Sequence, residues 1–248
     1  MEWWWFATAL VVVVAIGLGL SGRYLYLRRR LWKSILEDSI PANARWWRDY
    51  RERTGELLYV ALGDSAAQGI GGSNPGRGYV GQLVRHIRLT TGMTVRTINL
   101  GESGSTIGLA VANQLPKLAT HDPDLVTVAI GANDMADFHP EQFERDVRRL
   151  FSALPPHAIV ADLPTFHFLP LERNVVVANE IVHRVAAEFA LAVAPLHQRT
   201  RRQGLWGVVT HFAGDLFHPN DRGYRVWASA FIPGVDAVLR RRGGAPPA

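Results

Sequence analysis

The chain has 248 residues, of which 48% are hydrophobic and 20% charged, as in an ordinary folded domain with some additional apolar sequence. It contains no cysteine, which excludes disulfides, zinc–thiolate sites and a cysteine nucleophile. The formal net charge is +5, but residues 23–53 hold nine basic and four acidic residues and the remainder holds eighteen of each. Because the charge outside that segment balances, we do not expect nucleic acid as a partner.

The N-terminal stretch WWWFATALVVVVAIGLGLSG, residues 3–22, carries no charged side chain. Twenty helical residues extend about 30 Å, which is the thickness of a bilayer's hydrocarbon core. Three tryptophans at one end and two tyrosines just beyond the other match the aromatic belts of membrane interfaces. A signal peptide and a buried core helix are the alternatives, but the stretch follows Met-Glu and runs into Arg23 without a small-residue cleavage site. We therefore predict a transmembrane anchor over residues 1–22.

The segment after the anchor is basic and begins RYLYLRRR. Its composition predicts a helical juxtamembrane connector over residues 23–56, broken at Pro41 and separate from the folded domain that follows. Positive charge after the span can contact anionic headgroups and favours a cytoplasmic location for the rest of the chain. At the other end of the chain, residues 241–248 have the composition of a disordered tail.

From residue 57 onward, apolar strand-like runs alternate with segments of helical periodicity. Strands are predicted over 57–64, 93–101, 125–131, 158–163 and 191–195. Helices are predicted over 78–91, 106–119, 140–154, 172–190 and 220–240. This alternation indicates an α/β fold over residues 57–240, a three-layer sandwich with a central, mostly parallel five-stranded sheet flanked by helices. Sites in such sheets form at the carboxyl ends of the strands.

Polar clusters follow the first three predicted strands at those ends. They read GDSAAQG, NLGESGST and GAND, and a fourth cluster, GDLFHPNDRGY, precedes the last helix. Each cluster alone is explained by a glycine-containing turn with a helix N-cap. Three clusters in register at one edge of the sheet, followed by D-x-x-H-P, are harder to obtain from capping alone.

At these clusters the chain resembles the SGNH (GDSL-type) hydrolase superfamily, over roughly residues 57–240. That family carries a serine in a G-D-S block, a glycine after the second strand, an asparagine in G-x-N-D and an acid and histidine in D-x-x-H. The matching residues are Ser65, Gly104, Asn133, Asp215 and His218. The chain departs from the family at Ala66, where the longer form of the motif has leucine. The resemblance implies a flavodoxin-like fold and a serine esterase or lipase that uses neither a cofactor nor a metal.

These residue types also suit the chemistry. A serine hydroxyl becomes a good nucleophile only when a base takes its proton, and His218 is the candidate base for Ser65. Asp215 can hold the histidine ring in the required tautomer. Pro219 keeps His218 out of helical geometry and suits the first position of the next helix. The candidate oxyanion-hole donors are the Ser65 and Gly104 amides and the Asn133 side chain.

Other enzyme arrangements fit less well. The α/β-hydrolase elbow requires G-x-S-x-G, and Gly63-Asp64-Ser65-Ala66-Ala67 lacks the second glycine. A metallophosphoesterase would need D-x-H before the first cluster, but that pattern occurs only at residues 137–139. The alternative from another class is a catalytically silent, membrane-anchored binding protein on the same fold. Loss of a catalytic residue would favour it, and all five candidates are present.

The substrate class stays open at this stage. A carboxylic acyl ester, a thioester, a lysophospholipid and an acetylated carbohydrate are all compatible with the predicted site. Two apolar segments are predicted near it, FHFLPL at residues 166–171 and LWGVVTHF at residues 205–212. They either line an acyl pocket or only pack their own loops against the domain.

Overall fold

A computed structural model of the chain describes residues 3–167 and 171–243. One sheet has the strand order β2-β1-β3-β4-β5, and every neighbouring pair is parallel. This confirms the predicted five-stranded sheet, and the order is that of flavodoxin-like folds. The strands are β1 (Leu57–Gly63), β2 (Val95–Asn99), β3 (Leu125–Ala129), β4 (Ile159–Ala161) and β5 (Ala192–Ala194).

Helices cover both faces of the sheet. They are α1 (Trp3–Arg51), α2 (Ser65–Gln68), α3 (Tyr79–Thr91), α4 (Ile107–Asn113), α5 (Leu115–Leu118), α6 (Pro140–Ser152), α7 (Leu171–Glu188), α8 (Leu196–Arg201), α9 (Gly204–Thr210) and α10 (Asp221–Arg241). The predicted helix over 106–119 is divided into α4 and α5, because Pro116 has no N–H to continue the hydrogen-bond ladder. Neither α8 nor α9 was predicted from the sequence.

Alternate residues of β1 face two separate cores. Tyr59 and Ala61 pack against α3 and α10 on one side of the sheet. Val60 and Leu62 pack against α6 and α7 on the other. The strand is buried on both faces, which explains why its sequence is almost continuously apolar. The two cores hold the sheet rigidly, so the loops at the carboxyl ends of its strands stand on a fixed base.

The helix α1 is continuous over 49 residues, with Pro41 inside it. The prediction of a break at Pro41 is therefore wrong. The proline removes one backbone donor, but the turns on both sides of it are packed against the domain through Leu36 and Trp47, both buried. The N-terminal part of α1 includes an 18-residue window of mean hydropathy 2.1 with none of its residues buried, so it is long and apolar enough to span a membrane.

The expectation that the connector is separate from the folded domain is also wrong. Trp47 belongs to the core cluster that contains Tyr59 and Tyr79. Its indole N–H donates to the Gln68 carbonyl oxygen at 3.1 Å, and the Asn43 side-chain amide donates to the same oxygen at 3.2 Å. The second half of α1 is thus part of the domain. The predicted disordered tail falls largely outside the described residues, since α10 ends at Arg241 and the structure describes nothing beyond residue 243.

Candidate active site

The candidate nucleophile, Ser65, is the first residue of α2 and follows β1 through Asp64. A side chain on Gly63 would place its Cβ 2.4 Å from the Ala129 carbonyl oxygen of β3, so only glycine fits at this turn. Asp64 caps α2, accepting a hydrogen bond at Oδ1 from the Ala66 amide at 2.8 Å. The turn therefore fixes Ser65 at the carboxyl edge of the sheet.

The structure brings Ser65, His218 and Asp215 into one hydrogen-bonded chain. His218 Nε2 lies 2.9 Å from Ser65 Oγ, and His218 Nδ1 lies 2.6 Å from Asp215 Oδ2. An ionised carboxylate only accepts hydrogen bonds, so Nδ1 carries the ring proton of a neutral His218. Nε2 is then free to accept the proton of the Ser65 hydroxyl. This is the arrangement of a serine nucleophile, a base and an orienting acid.

Asp215 is held by the turn that it begins. Its Oδ1 accepts hydrogen bonds from the amides of Phe217 and His218, each at 3.1 Å. Burial opposes its ionisation, but the hydrogen bond and the charge of His218, together with these amides, outweigh it and hold the pKa of Asp215 below its ordinary value. Leu216 has a φ of +58°, a strained conformation for leucine, and its side chain is exposed next to the buried Asp215.

Pro219 occupies a different position from the one predicted. The N-cap of α10 is Asn220, whose side chain accepts hydrogen bonds from the amides of Arg222 and Gly223, and the helix begins at Asp221. Pro219 therefore precedes the cap and is not the first helical residue. The His218 carbonyl accepts a hydrogen bond from the Ala213 amide at 2.8 Å, which closes the loop that carries Asp215.

The candidate oxyanion donors besides Ser65 are Gly104 and Asn133, which lie in two loops joined by a hydrogen bond. The loop that carries Gly104 is fixed on both sides, because Ser103 Oγ donates to Gln68 Oε1 at 2.7 Å and the Ser105 carbonyl accepts from Asn133 Nδ2 at 2.9 Å. Gly104 itself has a φ of +80°, and a Cβ there would meet no atom within 4 Å. No described residue accepts a hydrogen bond from its amide or from that of Ser65.

Asn133 and Gly104 differ in how closely the structure joins them to the serine. Asn133 lines the same cavity as Ser65 and keeps one of its two amide hydrogens free of the bond to Ser105. Gly104 is exposed and is not among the residues that line that cavity. Its position is set by the neighbouring Ser103 and Ser105, between α2 and the loop after β3.

Two further carboxyl groups stand next to the site. Burial raises the pKa of Asp64 to about 6, against the hydrogen bond from the Ala66 amide and the positive charge that His218 acquires on protonation. Burial likewise raises the pKa of Asp134 to about 6, against its hydrogen bond from the Ile107 amide. Both groups are charged above pH 6, and Asp64 then adds negative charge close to His218.

A cavity of about 450 Å³ opens beside Ser65 and His218. Its walls are mainly apolar, and both predicted apolar segments contribute to them, through Phe166 and Leu171 and through Val208 and Phe212. The residues of the first segment between them, 168–170, lie outside the described residues. Its size and lining are typical of a small-molecule site.

One wall of the cavity is fixed by Glu172. Its carboxylate accepts hydrogen bonds from Thr165 Oγ1 at 3.0 Å and from the Phe166 amide at 2.7 Å, and its other oxygen lies 2.8 Å from His197 Nε2. Burial alone would raise its pKa, but these hydrogen bonds keep the pKa of Glu172 below the ordinary value. The group thus remains charged and holds the loop after β4 in place.

The sequence analysis missed three supporting residues. Gln114 is fully buried and brackets Gly63, accepting from its amide at 2.9 Å and donating to its carbonyl at 2.8 Å. Asn99 donates to the Ala67 carbonyl at 2.6 Å. Gln68 donates from Nε2 to the Gly101 carbonyl at 3.0 Å. The sequence marks Gln114 only as a polar, uncharged side chain within the mainly apolar run IGLAVANQLPKL.

Arg29 of α1 also lines the cavity, although the sequence placed it in a separate connector. Among the residues that the structure describes, no group of three or more histidine and carboxylate side chains is arranged to hold a metal ion.

Comparison with known proteins agrees with this fold. A family model described as GDSL-like lipase/acylhydrolase matches residues 61–226. No curated protein matches the chain. Among solved structures, LAE5, an alpha/beta hydrolase enzyme from the metagenome of Lake Arreo, Spain, is 24% identical with a TM-score of 0.62, covering 75% of this chain and 98% of its own.

Two other solved structures are similar to the same degree. Axe2, an acetylxylan esterase from Geobacillus stearothermophilus, is 20% identical with a TM-score of 0.59 and covers 73% of this chain and 94% of its own. A lipolytic protein of the G-D-S-L family from Veillonella parvula is 21% identical with a TM-score of 0.57, covering 71% and 96%. At these identities the likeness establishes a shared fold.

Proposed function

Because the chain belongs to the GDSL-like lipase/acylhydrolase family, we propose that it is a membrane-anchored serine hydrolase that cleaves carboxylic esters. The observation that carries the proposal is the pair of hydrogen bonds on His218, at 2.9 Å to Ser65 and 2.6 Å to Asp215. We place the anchor at residues 1–22, and the apolar part of α1, which begins at Trp3, has the length and composition of a membrane span.

In the first half of the reaction His218 Nε2 takes the proton of the Ser65 hydroxyl as Oγ attacks the ester carbonyl. Negative charge develops on the carbonyl oxygen, and the amides of Ser65 and Gly104 and the side chain of Asn133 donate hydrogen bonds to it. Protonated His218, stabilised by Asp215, then gives its proton to the departing alcohol, and an acyl group remains on Ser65.

In the second half a water molecule replaces the alcohol. His218 takes a proton from the water, which attacks the acyl carbonyl, and the same donors stabilise the second oxyanion. Collapse of this intermediate releases the carboxylic acid and returns the proton to Ser65 Oγ. Asp215 keeps its charge throughout, because its hydrogen bonds hold its pKa below the ordinary range.

The lining of the cavity favours an acyl chain over a carbohydrate. Phe166, Leu171, Val208 and Phe212 present apolar surface next to the serine, whereas a sugar needs several converging hydrogen-bond partners. We therefore propose an acyl ester or a lysophospholipid as the substrate, with the acyl chain in this cavity. A thioester of the same acyl chain fits the same walls, and a series of substrates separates the two.

The test uses a serine-directed phosphonate and p-nitrophenyl esters from acetyl to palmitoyl. Wild-type protein should be labelled at Ser65 and should hydrolyse the esters, while Ser65→Ala and His218→Ala should each lower turnover to near background, with no further loss in the double variant. Ser152→Ala is the matched control, because Ser152 is exposed at the end of α6 and does not line the cavity. Labelling of Ser103 or Ser105 would contradict the assignment, and a folded wild type that cleaves no ester would favour the binding-protein alternative.

A further inference from the structure

Five large apolar side chains stand exposed beside the cavity, and we call them the apolar rim. Leu205, Trp206 and Val209 lie on α9 and are 85%, 68% and 78% exposed. Leu216 and Phe217 lie in the turn before His218, are also exposed, and line the cavity. Neighbouring exposed apolar residues at a binding-site mouth mark an interaction surface, whereas single ones are ordinary.

The large apolar side chains of α9 face away from the domain, which is the reverse of their usual placement in a helix on a water-facing surface. Leu205, Trp206 and Val209 fall within an arc of about 100° of the helix. The opposite side carries Gly207, which is buried and has no room for a side chain, since an added Cβ would lie 2.5 Å from that of Gln203. The helix thus turns its small residue toward the domain and its large apolar ones away from it, as a helix at a membrane interface does.

The rim lies on the side of the domain from which the apolar part of α1 departs. Arg29 lines the same cavity as Val208, Leu216 and Phe217. Trp32, one turn further along α1, packs on Gly214, where an added Cβ would lie 2.2 Å from its indole ring. Contact between α1 and the active-site loops therefore begins about two helical turns after the proposed span.

The distance along α1 sets the height of the cavity above the membrane. Arg29 comes seven residues after Gly22, which corresponds to about 10 Å along the helix axis. The headgroup layer of one leaflet is roughly 5–8 Å thick. A domain attached at Arg29 and Trp32 consequently holds its cavity next to the headgroups.

The charges near the mouth complement an anionic lipid surface. Arg28, Arg29 and Arg30 precede the first packed turn of α1, and none of them forms an ion pair with a described residue. Lys33 is 73% exposed and only loosely paired with Glu37, at 3.7 Å. Basic residues next to exposed tryptophan and leucine are the composition of surfaces that bind the membrane interface.

We propose that the apolar rim is a second membrane contact, which inserts into the leaflet that α1 leaves and holds the cavity mouth against the lipid. The ester then passes from the bilayer into the cavity with its acyl chain leading. The inference rests on the proposed anchor and ester hydrolysis, and it is independent of which side of the membrane carries the domain. The proposed partner of the rim is a lipid surface and not another protein or a second copy of the chain.

The first experiment measures contact without relying on activity. Since the chain has no cysteine, Leu205→Cys in the full-length protein can be labelled with the fluorophore NBD and reconstituted into phosphatidylcholine–phosphatidylglycerol vesicles. Leu89→Cys is the matched control, because Leu89 is 71% exposed on α3 and does not line the cavity. Lipid-borne nitroxides should quench the label at position 205 several-fold more than the label at position 89.

Equal quenching at the two positions would overturn the proposal. If the label at position 205 instead became protected as the protein density in the vesicles rose, without quenching by lipid, the rim would be an interface between copies of the chain. Neither outcome depends on whether the protein hydrolyses esters.

The second experiment separates the rim from the chemistry. The variant Leu205→Ser/Trp206→Ser/Val209→Ser, compared with Leu89→Ser, should keep turnover of p-nitrophenyl acetate within about twofold, because no substituted residue touches the triad. Its turnover of a lysophospholipid embedded in vesicles should fall at least tenfold. An equal loss of turnover on both substrates would mean that α9 only supports the fold. Unchanged turnover of both would overturn the proposed membrane contact of the apolar rim. Wild type that is inactive on both would refute the proposed function, leaving the quenching result to judge the membrane contact.

Discussion

The second half of α1 is predicted to be necessary for a stable domain, and shortened chains test this directly. A chain of residues 31–248 retains every buried contact of α1, including Leu36 and Trp47. A chain of residues 55–248 starts just before β1 and loses them all. From the sequence alone the connector is separate and the second chain should be active, so the comparison decides between the two expectations.

The structure supplies the magnitude. Truncating a buried tryptophan to alanine costs about 3–5 kcal/mol, and truncating a buried leucine about 2–5 kcal/mol. The hydrogen bonds from Trp47 and Asn43 to the Gln68 carbonyl contribute about 1 kcal/mol each. The total, about 7–12 kcal/mol, is as large as the whole unfolding free energy of a typical domain. We therefore expect residues 55–248 to be unfolded, or to retain only a small part of the stability.

The assay compares the two chains in the same mild detergent. Thermal unfolding by circular dichroism should give a cooperative transition for residues 31–248 and either none, or one at least 15 °C lower, for residues 55–248, since each kcal/mol shifts the Tm of a domain of this size by about 2–4 °C. Turnover of p-nitrophenyl acetate should follow the folded fraction. Two transitions within 3 °C of each other, with equal turnover, would refute the reasoning and return α1 to the role of a simple tether.

Three other predictions concern the site and the membrane. Asn133→Ala should lower kcat about a hundred-fold to a thousand-fold with little change in KM, the usual effect of one missing oxyanion donor, and an unchanged kcat would remove Asn133 from that role. Burial raises the pKa of Asp64 from 3.8 to about 6, so its contribution to stability is fully present below pH 3.8 and is lost as the pH rises through 6. Asp64→Asn, which keeps an acceptor for the Ala66 amide, should therefore raise the free energy of unfolding at pH 8 by up to about 3 kcal/mol and flatten its decline between pH 4 and 7; an unaltered pH profile of the Tm would contradict this. Positive charge after the span predicts a cytoplasmic domain, and digestion of that domain by a protease added to intact cells would disprove it.

The sequence predicted the fold and the candidate triad because both depend on local patterns. Strands such as β1 and β3 are buried on both faces, so their apolar runs are unbroken. Ser65 lies at a strand end, and Asp215 and His218 lie three residues apart in one turn, so short motifs are sufficient to identify them. Predicted strands were longer than observed ones at β2 and β5, where the outer residues have the composition of a strand but no pairing partner.

The same patterns carry no information on which distant residues support the site. Gln114 is 51 positions along the chain from Gly63, the glycine that it brackets. Glu172 holds the loop after β4, and only the folded structure shows that this loop lines the cavity. The short helix α9 has too few residues for a periodicity to be recognised. Only the tertiary structure joins these residues to the serine.

The misinterpretation of α1 has a more specific cause and a mechanical consequence. Its buried face is narrow, with Leu36 and Trp47 separated by Pro41, so the sequence shows charge and a helix breaker where the structure shows a packed helix. Through Trp47 and Asn43 that helix bonds the Gln68 carbonyl, at the end of the helix that Ser65 begins. The Gln68 side chain in turn bonds the loop that carries Gly104. Gln68 thus joins α1 to both the candidate nucleophile and a candidate oxyanion donor, and the proposed anchor is continuous with the framework that would position the reacting atoms.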